Sequence, residues 1–286
     1  MALDDRVVPQ GTGFFRRMVR ANYHTYIMLG ILLGVMMLPI AYMIVIAITP
    51  QDLLFKQIIP VRTTYQNLLK VFSTEELVLP FRNSVGISTF TAFFTILLAA
   101  PAAYGMSRYR VGLSGTMIVL LLFTQVIPVE ILVLSYFPFL RSVGLIDTWA
   151  GLVFLDTTLT VPFCTLILKS MFDGVPEDIE QAARIDGCNS LECFFRITLP
   201  LSWGGILAAF IFAFLMAWQE FLYGLTFSAS LAARPITVAL NLLIGHYTIS
   251  WEVLMAASFL SAFPLLVVFG LFQGVFIRGM VAGGVK

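Results

Sequence analysis

The chain has 286 residues, 59% of them hydrophobic and only 12% charged, against about 45–50% apolar and about 25% charged in an ordinary soluble domain. Seventeen Lys and Arg against 16 Asp and Glu leave a net charge of +1, and the mean hydropathy is +0.93. So few charges exclude a soluble enzyme and a disordered chain, and the near-neutral balance excludes a nucleic-acid binder. The composition is that of an integral membrane protein.

A membrane-crossing helix needs about 20 apolar residues at about 1.5 Å each. Residues 21–51 carry no charge, which predicts a first span at Ile27–Thr49 behind a tail of residues 1–26. That stretch is too long for a signal-peptide core and no A-x-A-like cleavage site follows it, so it is expected to stay as an anchor. The loop 50–82 is expected outside; it is mixed in charge and either a solvated loop or, being long enough, a surface that touches a partner. A second span is expected at Asn83–Met106. The third, Thr116–Phe137, is interrupted by Glu130, and the fourth, Trp149–Met171, by Asp156. The fifth, Ser202–Gly224, carries Glu220 near its end; the sixth is Val253–Ile277, ahead of a tail at 278–286.

Pro235–Trp251 is uncharged but short, and it contains Thr237, Asn241, Gly245, His246, Thr248 and Ser250. Lipid cannot satisfy those polar groups, so an interfacial or re-entrant helix is expected there. The predicted fold class is all-α and integral to the membrane, with six transmembrane helices in one domain over 27–277. Placing both termini inside puts eleven Lys and Arg on the inner side and six on the outer, the bias that marks the cytoplasmic face. Trp149, Trp218 and Trp251 then lie near outer span ends and Trp203 near an inner one, as interfacial anchors do. Cys164, Cys188 and Cys193 have no histidine near them, and His24 and His246 lie in different segments. No metal-ligand spacing results.

Residues 172–201 form a long segment between spans four and five, and its helix punctuation is clear. Pro176 suits a first helical position, with Glu177, Asp178 and Glu180 at the positive end of the helix dipole. Ile179, Ala182, Ala183 and Asp186 recur at helical spacing and make one narrow face. Gly187 supplies a stop that tolerates positive φ. Asn189 and Glu192 form a capping pair for a second helix through Arg196, and Pro200 marks the entry to span five. The motif reads as helix, turn, helix. Its small face either receives another protein or packs on the chain's own helix ends.

Three carboxylates fall inside spans, where a charge costs about 2.5–3.5 kcal/mol on insertion scales and so faces protein or water. Counted from the inner span ends, Glu130 lies about 21 Å up and Glu220 about 27 Å up, and Asp156 is about 10 Å from the outer end. A cluster in the outer half suits hydroxyl-rich solute, since carboxylates accept hydrogen bonds from OH groups. Gln125, Gln219 and Asn241 are weaker candidates for the same lining. The alternative is that each pairs with a helix, water or neighbouring chain, or snorkels to the interface. A proton-coupled secondary transporter would need inverted repeats and mid-bilayer carboxylates, and a membrane enzyme a nucleophile–base pair or metal cluster at depth; the sequence displays neither pattern.

The segment 172–201 resembles the EAA loop of ATP-binding-cassette importer permeases, whose pattern is E-A-A-x3-G-x9-I-x-L-P. Gln181, Ala182, Ala183, Gly187, Ile197, Leu199 and Pro200 occupy those positions. Gln181 stands where the family has Glu, with Glu180 just before it. Pro128, Gly144-Leu145-Ile146-Asp147-Thr148, Trp218-Gln219-Glu220-Phe221, Arg278-Gly279 and Gly283-Gly284-Val285-Lys286 resemble the carbohydrate-uptake branch, similar to the maltose-type subunit that pairs with a second permease.

The resemblance implies a multi-pass permease of the bacterial cytoplasmic membrane, importing a sugar, oligosaccharide or polyol, with glycerol phosphate as the alternative cargo. It implies that Glu180, Gln181, Ala182, Ala183, Asp186, Gly187, Ile197, Leu199 and Pro200 carry the coupling to an ATPase, through a cytoplasmic loop. Implied partners are a second homologous permease, two ATP-binding cassette subunits, an extracytoplasmic solute-binding protein and membrane lipid. No G-x-x-x-x-G-K-[ST] occurs, so no cofactor is expected on this chain, and ATP and Mg belong to the partner ATPases.

Overall fold

A computed structural model describes residues 23–57, 60–109, 114–244 and 250–284. The regular elements of those residues are helices. The first, α1 (Tyr23–Ala47), is apolar on every side and almost wholly exposed, as a helix bathed in lipid must be. It rests on the last helix, α13 (Trp251–Gly284), which runs past the expected end at Ile277 and into the expected tail. A short 3₁₀ turn (Gln51–Leu53) and α2 (Gln66–Ser73) lead into α3 (Glu75–Arg108). Glu75 and Glu76 in the first turn of α3 and Arg108 in its last complement the helix dipole.

The centre of the bundle is α6 (Trp149–Asp173), the most buried of the long helices. The side chain of Thr148 caps it, accepting from the Gly151 amide at 3.1 Å. On one side α6 meets α3 and on the other α10 (Trp203–Gln219). The contact is made largely of small residues: Ala92, Ala99, Ala100 and Ala103 from α3, Cys164 from α6, Ala209 and Ala213 from α10. Small side chains let helix backbones approach closely where lipid supplies no hydrophobic drive.

Two expected spans are not single straight helices. The third is α4 (Ser114–Thr124) followed by α5 (Val129–Ser142), bent by 87° across the break. Pro128 causes it, because the residue before a proline is driven out of the helical region and Pro has no N–H for the ladder. The fifth stops at Gln219 rather than Gly224, since Glu220 is extended (ψ 132°), and a six-residue helix α11 (Leu222–Phe227) follows. At its other end α10 is bent by 80° from the segment Ser190–Leu201. Among the described residues, four helices are long and apolar enough to cross a membrane, or up to six if each bent pair is one span. The helix expected over 235–251 is only α12 (Ile236–Leu242); residues 245–249 lie outside the described residues.

At the Trp149 end, polar groups pin the 228–236 segment to the bundle. Asn83 donates to the carbonyls of Leu231 and Arg234, both at 2.9 Å. The Trp149 indole donates to Asn83 Oδ1 at 3.2 Å and to the Ala232 carbonyl at 3.0 Å. The Trp149 ring lies on Gly86, where any Cβ would overlap it. Trp149 is therefore held by protein rather than acting only as an interfacial anchor. The same correction applies to Trp218, which is 3% exposed and packed between Phe81 and Phe214. Trp203 is exposed as expected.

Candidate functional site

The segment after α6 forms the expected helix, turn, helix, but the first helix starts after Pro176 and the second is α-helical only to Cys193 rather than through Arg196. Helix α7 (Glu177–Ile185) begins one residue after Pro176, which is its cap rather than its first residue. It ends in a Schellman turn: the Cys188 amide donates to Ala183 O at 2.9 Å and the Gly187 amide to Arg184 O at 3.1 Å. Gly187 sits at φ +96°, the left-handed conformation that only glycine adopts freely. Asn189 and Glu192 close a reciprocal capping box, with bonds of 3.0 and 2.8 Å, on α8 (Ser190–Cys193). A π-turn (Phe194–Thr198) and a single turn α9 (Leu199–Leu201) complete the path to α10.

One side chain of α7 is buried, and it is Glu180, 2% exposed. Its carboxylate receives Arg108 Nε at 2.7 Å, Thr198 Oγ1 at 2.6 Å and the Tyr104 hydroxyl at 2.9 Å. Arg108 also donates to Val175 O at 3.0 Å and to Ser107 Oγ at 3.0 Å, and Ser107 in turn donates to Asp173 at 2.7 Å. The Tyr104 ring packs against Phe172 and Phe194. Burial alone would raise the Glu180 carboxyl, but the hydrogen bonds from Thr198, Arg108 and Tyr104 outweigh it and hold it below its ordinary value. Arg184, on the same helix, approaches it only to 3.9 Å.

The remaining loop residues divide by face. Gln181, Ala182, Asp186 and Gly187 are exposed and Ala183 is half-buried, so the small face points away from the chain's own helix ends. Ile185 and Leu191 stand out beside it, 88% and 69% exposed. Ile197 and Leu199 are half-buried, Leu199 against the core between α3, α6 and α10, and Pro200 is exposed. Glu180 thus faces inward and Gln181 outward. Tyr104, Arg108 and Thr198 are absent from the expected site residues, yet they are the partners of Glu180. A signal exists: Tyr104 and Arg108 are four residues apart, hence on one face at the end of α3.

The membrane-depth candidates do not form one open cluster. Asp156 is 4% exposed, within the field of Glu220. Glu220 is committed to its own backbone: its carboxylate accepts from the amides of Tyr223 at 2.8 Å and Gly224 at 3.0 Å, at the start of α11. Glu130 is exposed in the first turn of α5, and Gln219 and Asn241 are exposed. Gln125 donates to Leu159 O at 3.3 Å. Among the described residues no group of three or more His, Cys, Asp or Glu could hold a metal ion.

Residues 91–282 match the family described as binding-protein-dependent transport system inner membrane component. The sulfoquinovosyl glycerol transport system permease protein SmoH of Agrobacterium fabrum is 33% identical over 227 residues, covering 79% of this chain and 80% of that one. The trehalose/maltose transport system permease protein MalG of Thermococcus litoralis is 30% identical, over 87% of this chain and 91% of its own. Among solved structures, a bacterial ABC transporter involved in import of the acidic polysaccharide alginate aligns with TM-score 0.76 at 19% identity, covering 94% of this chain and 100% of that chain. That likeness extends the match in fold to nearly the whole length.

Proposed function

The chain belongs to the family of binding-protein-dependent transport system inner membrane components, the permease subunits of ABC importers, and from that membership we propose that its cargo is a sugar, oligosaccharide or related polyol. It is a multi-pass inner-membrane protein. The relatives support this cargo, since their names specify sulfoquinovosyl glycerol and trehalose or maltose. In this reading the bent pair α4–α5 and the helix α10 each count as a span beside the four long helices, giving six, and both termini face the cytoplasm. The segment 172–201 is the EAA loop on the inner face, and a second permease, two ATP-binding subunits and an extracytoplasmic binding protein complete the assembly. ATP and Mg are held by the ATPases.

The observation that carries the coupling role is the exposed small patch of Ala182 and Gly187, with Ala183 half-buried beside it, flanked by the exposed apolar knobs Ile185 and Leu191. Two isolated apolar side chains beside a shallow patch fit a groove in another protein. Closure of the ATPases would then move the bundle as rigid bodies between inward- and outward-facing states. Glu130, Gln219 and Asn241 are exposed and could line a path shared with the second permease. Glu220 is held by the amides of its own chain and acts there as structure, and Asp156 is buried within the bundle.

Mild-detergent purification of the tagged protein from its native membranes, with partners identified by mass spectrometry, tests the reading. A stoichiometric Walker-A ATPase and a second permease are expected. Recovery of the chain alone, or as a homodimer with no ATPase, would overturn it.

A further inference from the structure

We propose that the Glu180–Arg108 pair is the rigid joint through which α7 moves α3 and α10 together. The inference rests on the coupling role proposed above for the loop, and it concerns residues on the inner side of that loop, not its docking face. The carrying observation is how α7 is attached. Its one buried side chain is a carboxylate, so its hold on the bundle is directional hydrogen bonding rather than apolar contact that could slide. Three donors converge on that carboxylate from two different elements. Arg108 and Tyr104 come from the end of α3, and Thr198 comes from the π-turn that leads into α10.

The joint is braced on its far side. Arg108 bonds the Val175 carbonyl at the foot of α7. It also bonds Ser107, which bonds Asp173 at the end of α6, and Asp173 pairs with Lys169 at 2.6 Å. The Cys193 thiol donates to the Glu180 carbonyl at 3.9 Å from the second short helix. A displacement of α7 cannot leave α3 behind without breaking a charged pair buried to about 95% on both sides. Gln181, at the motif's acidic position, is solvent-facing and plays no part in this joint.

The test is the distance between spin labels at Asp178→Cys on α7 and Leu98→Cys on α3, both exposed positions, in the complex purified from native membranes. The half-buried Cys188 is replaced by Ser so that it does not label. In the otherwise wild-type complex the distance should be single and unchanged between ADP and ATP–vanadate. In E180Q its distribution should broaden at least twofold and become nucleotide-dependent, with T198V, which keeps the ion pair, in between. A wild-type distance that differs between the two nucleotide states would overturn the joint. So would a distribution in E180Q and T198V as narrow as wild type. Loss of ATPase from the wild-type preparation would instead strike the importer reading, while label distances in the permease alone still report the stiffness of the joint.

Discussion

Arg108 and Arg62 make ion pairs of similar length but unequal consequence. Arg62 and Asp52 meet at 3.1 Å with both side chains more than half exposed, so R62A should cost less than about 1 kcal/mol in thermal unfolding of the solubilised protein. Arg108→Ala leaves Glu180 buried without its charged partner, and should cost about 3–5 kcal/mol in the same assay. Equal shifts for the two variants would contradict the burial of the Glu180 site. The pH dependence follows from the sign of the carboxyl's displacement. Because Glu180 is held below its ordinary value of 4.5, its contribution is present in full above that pH and fades as pH falls through the lower folded value. The difference in melting temperature between wild type and E180Q should therefore be flat from pH 8 to about 5 and shrink below about 4.5; a difference that shrinks near neutrality would exclude the assignment.

Gly187 and Asp147, two of the residues at positive φ, give predictions about whole elements. Gly187 ends α7 at φ +96° with open space around it, so G187A and G187V meet no steric wall and differ mainly in backbone strain of about 1–3 kcal/mol. The β-branched variant should misdirect α8 and reduce transport at least tenfold while ATP hydrolysis persists, measured side by side on the purified complex. Unimpaired transport in G187V would remove the turn from the coupling path. Asp147 sits at φ +59° and accepts from the amides of Ala229 and Ser230 at 2.9 and 3.0 Å. These bonds and Arg234 hold its carboxyl low against the raising effect of its burial. Asn tolerates the left-handed turn and keeps one acceptor, so D147N should be milder than D147A, which loses about 1–3 kcal/mol of hydrogen bonding; melting curves that rank the two the other way would contradict this.

The same elements mark how far the sequence could be read. Turn chemistry was legible: Gly187, Asn189 and Glu192 do what their types and spacing require, because caps and left-handed turns are decided within a few residues. The bends were not. Hydropathy counts apolar residues without direction, so 116–137 and 202–224 look like ordinary spans, although Pro128 and Glu220 break them. Glu220 illustrates the loss well. A carboxylate inside an apolar run suggests solute, yet it caps the helix that its own extended backbone begins.

For the molecule as a whole, the fold class was legible because lipid imposes it: backbone groups at membrane depth must pair within helices, and long uncharged runs can satisfy that in few ways. The three donors to Glu180 were not, since Tyr104, Arg108 and Thr198 lie 76, 72 and 18 residues from it and meet only once α3, α6 and α10 have packed. The measurement that bears most directly on the permease as a whole is carbohydrate uptake by the purified complex in proteoliposomes, with the sugar-loaded binding protein outside and ATP either enclosed or omitted. Uptake that requires enclosed ATP, and is indifferent to an imposed proton gradient, is the expected result. Uptake driven by the proton gradient without ATP would contradict it.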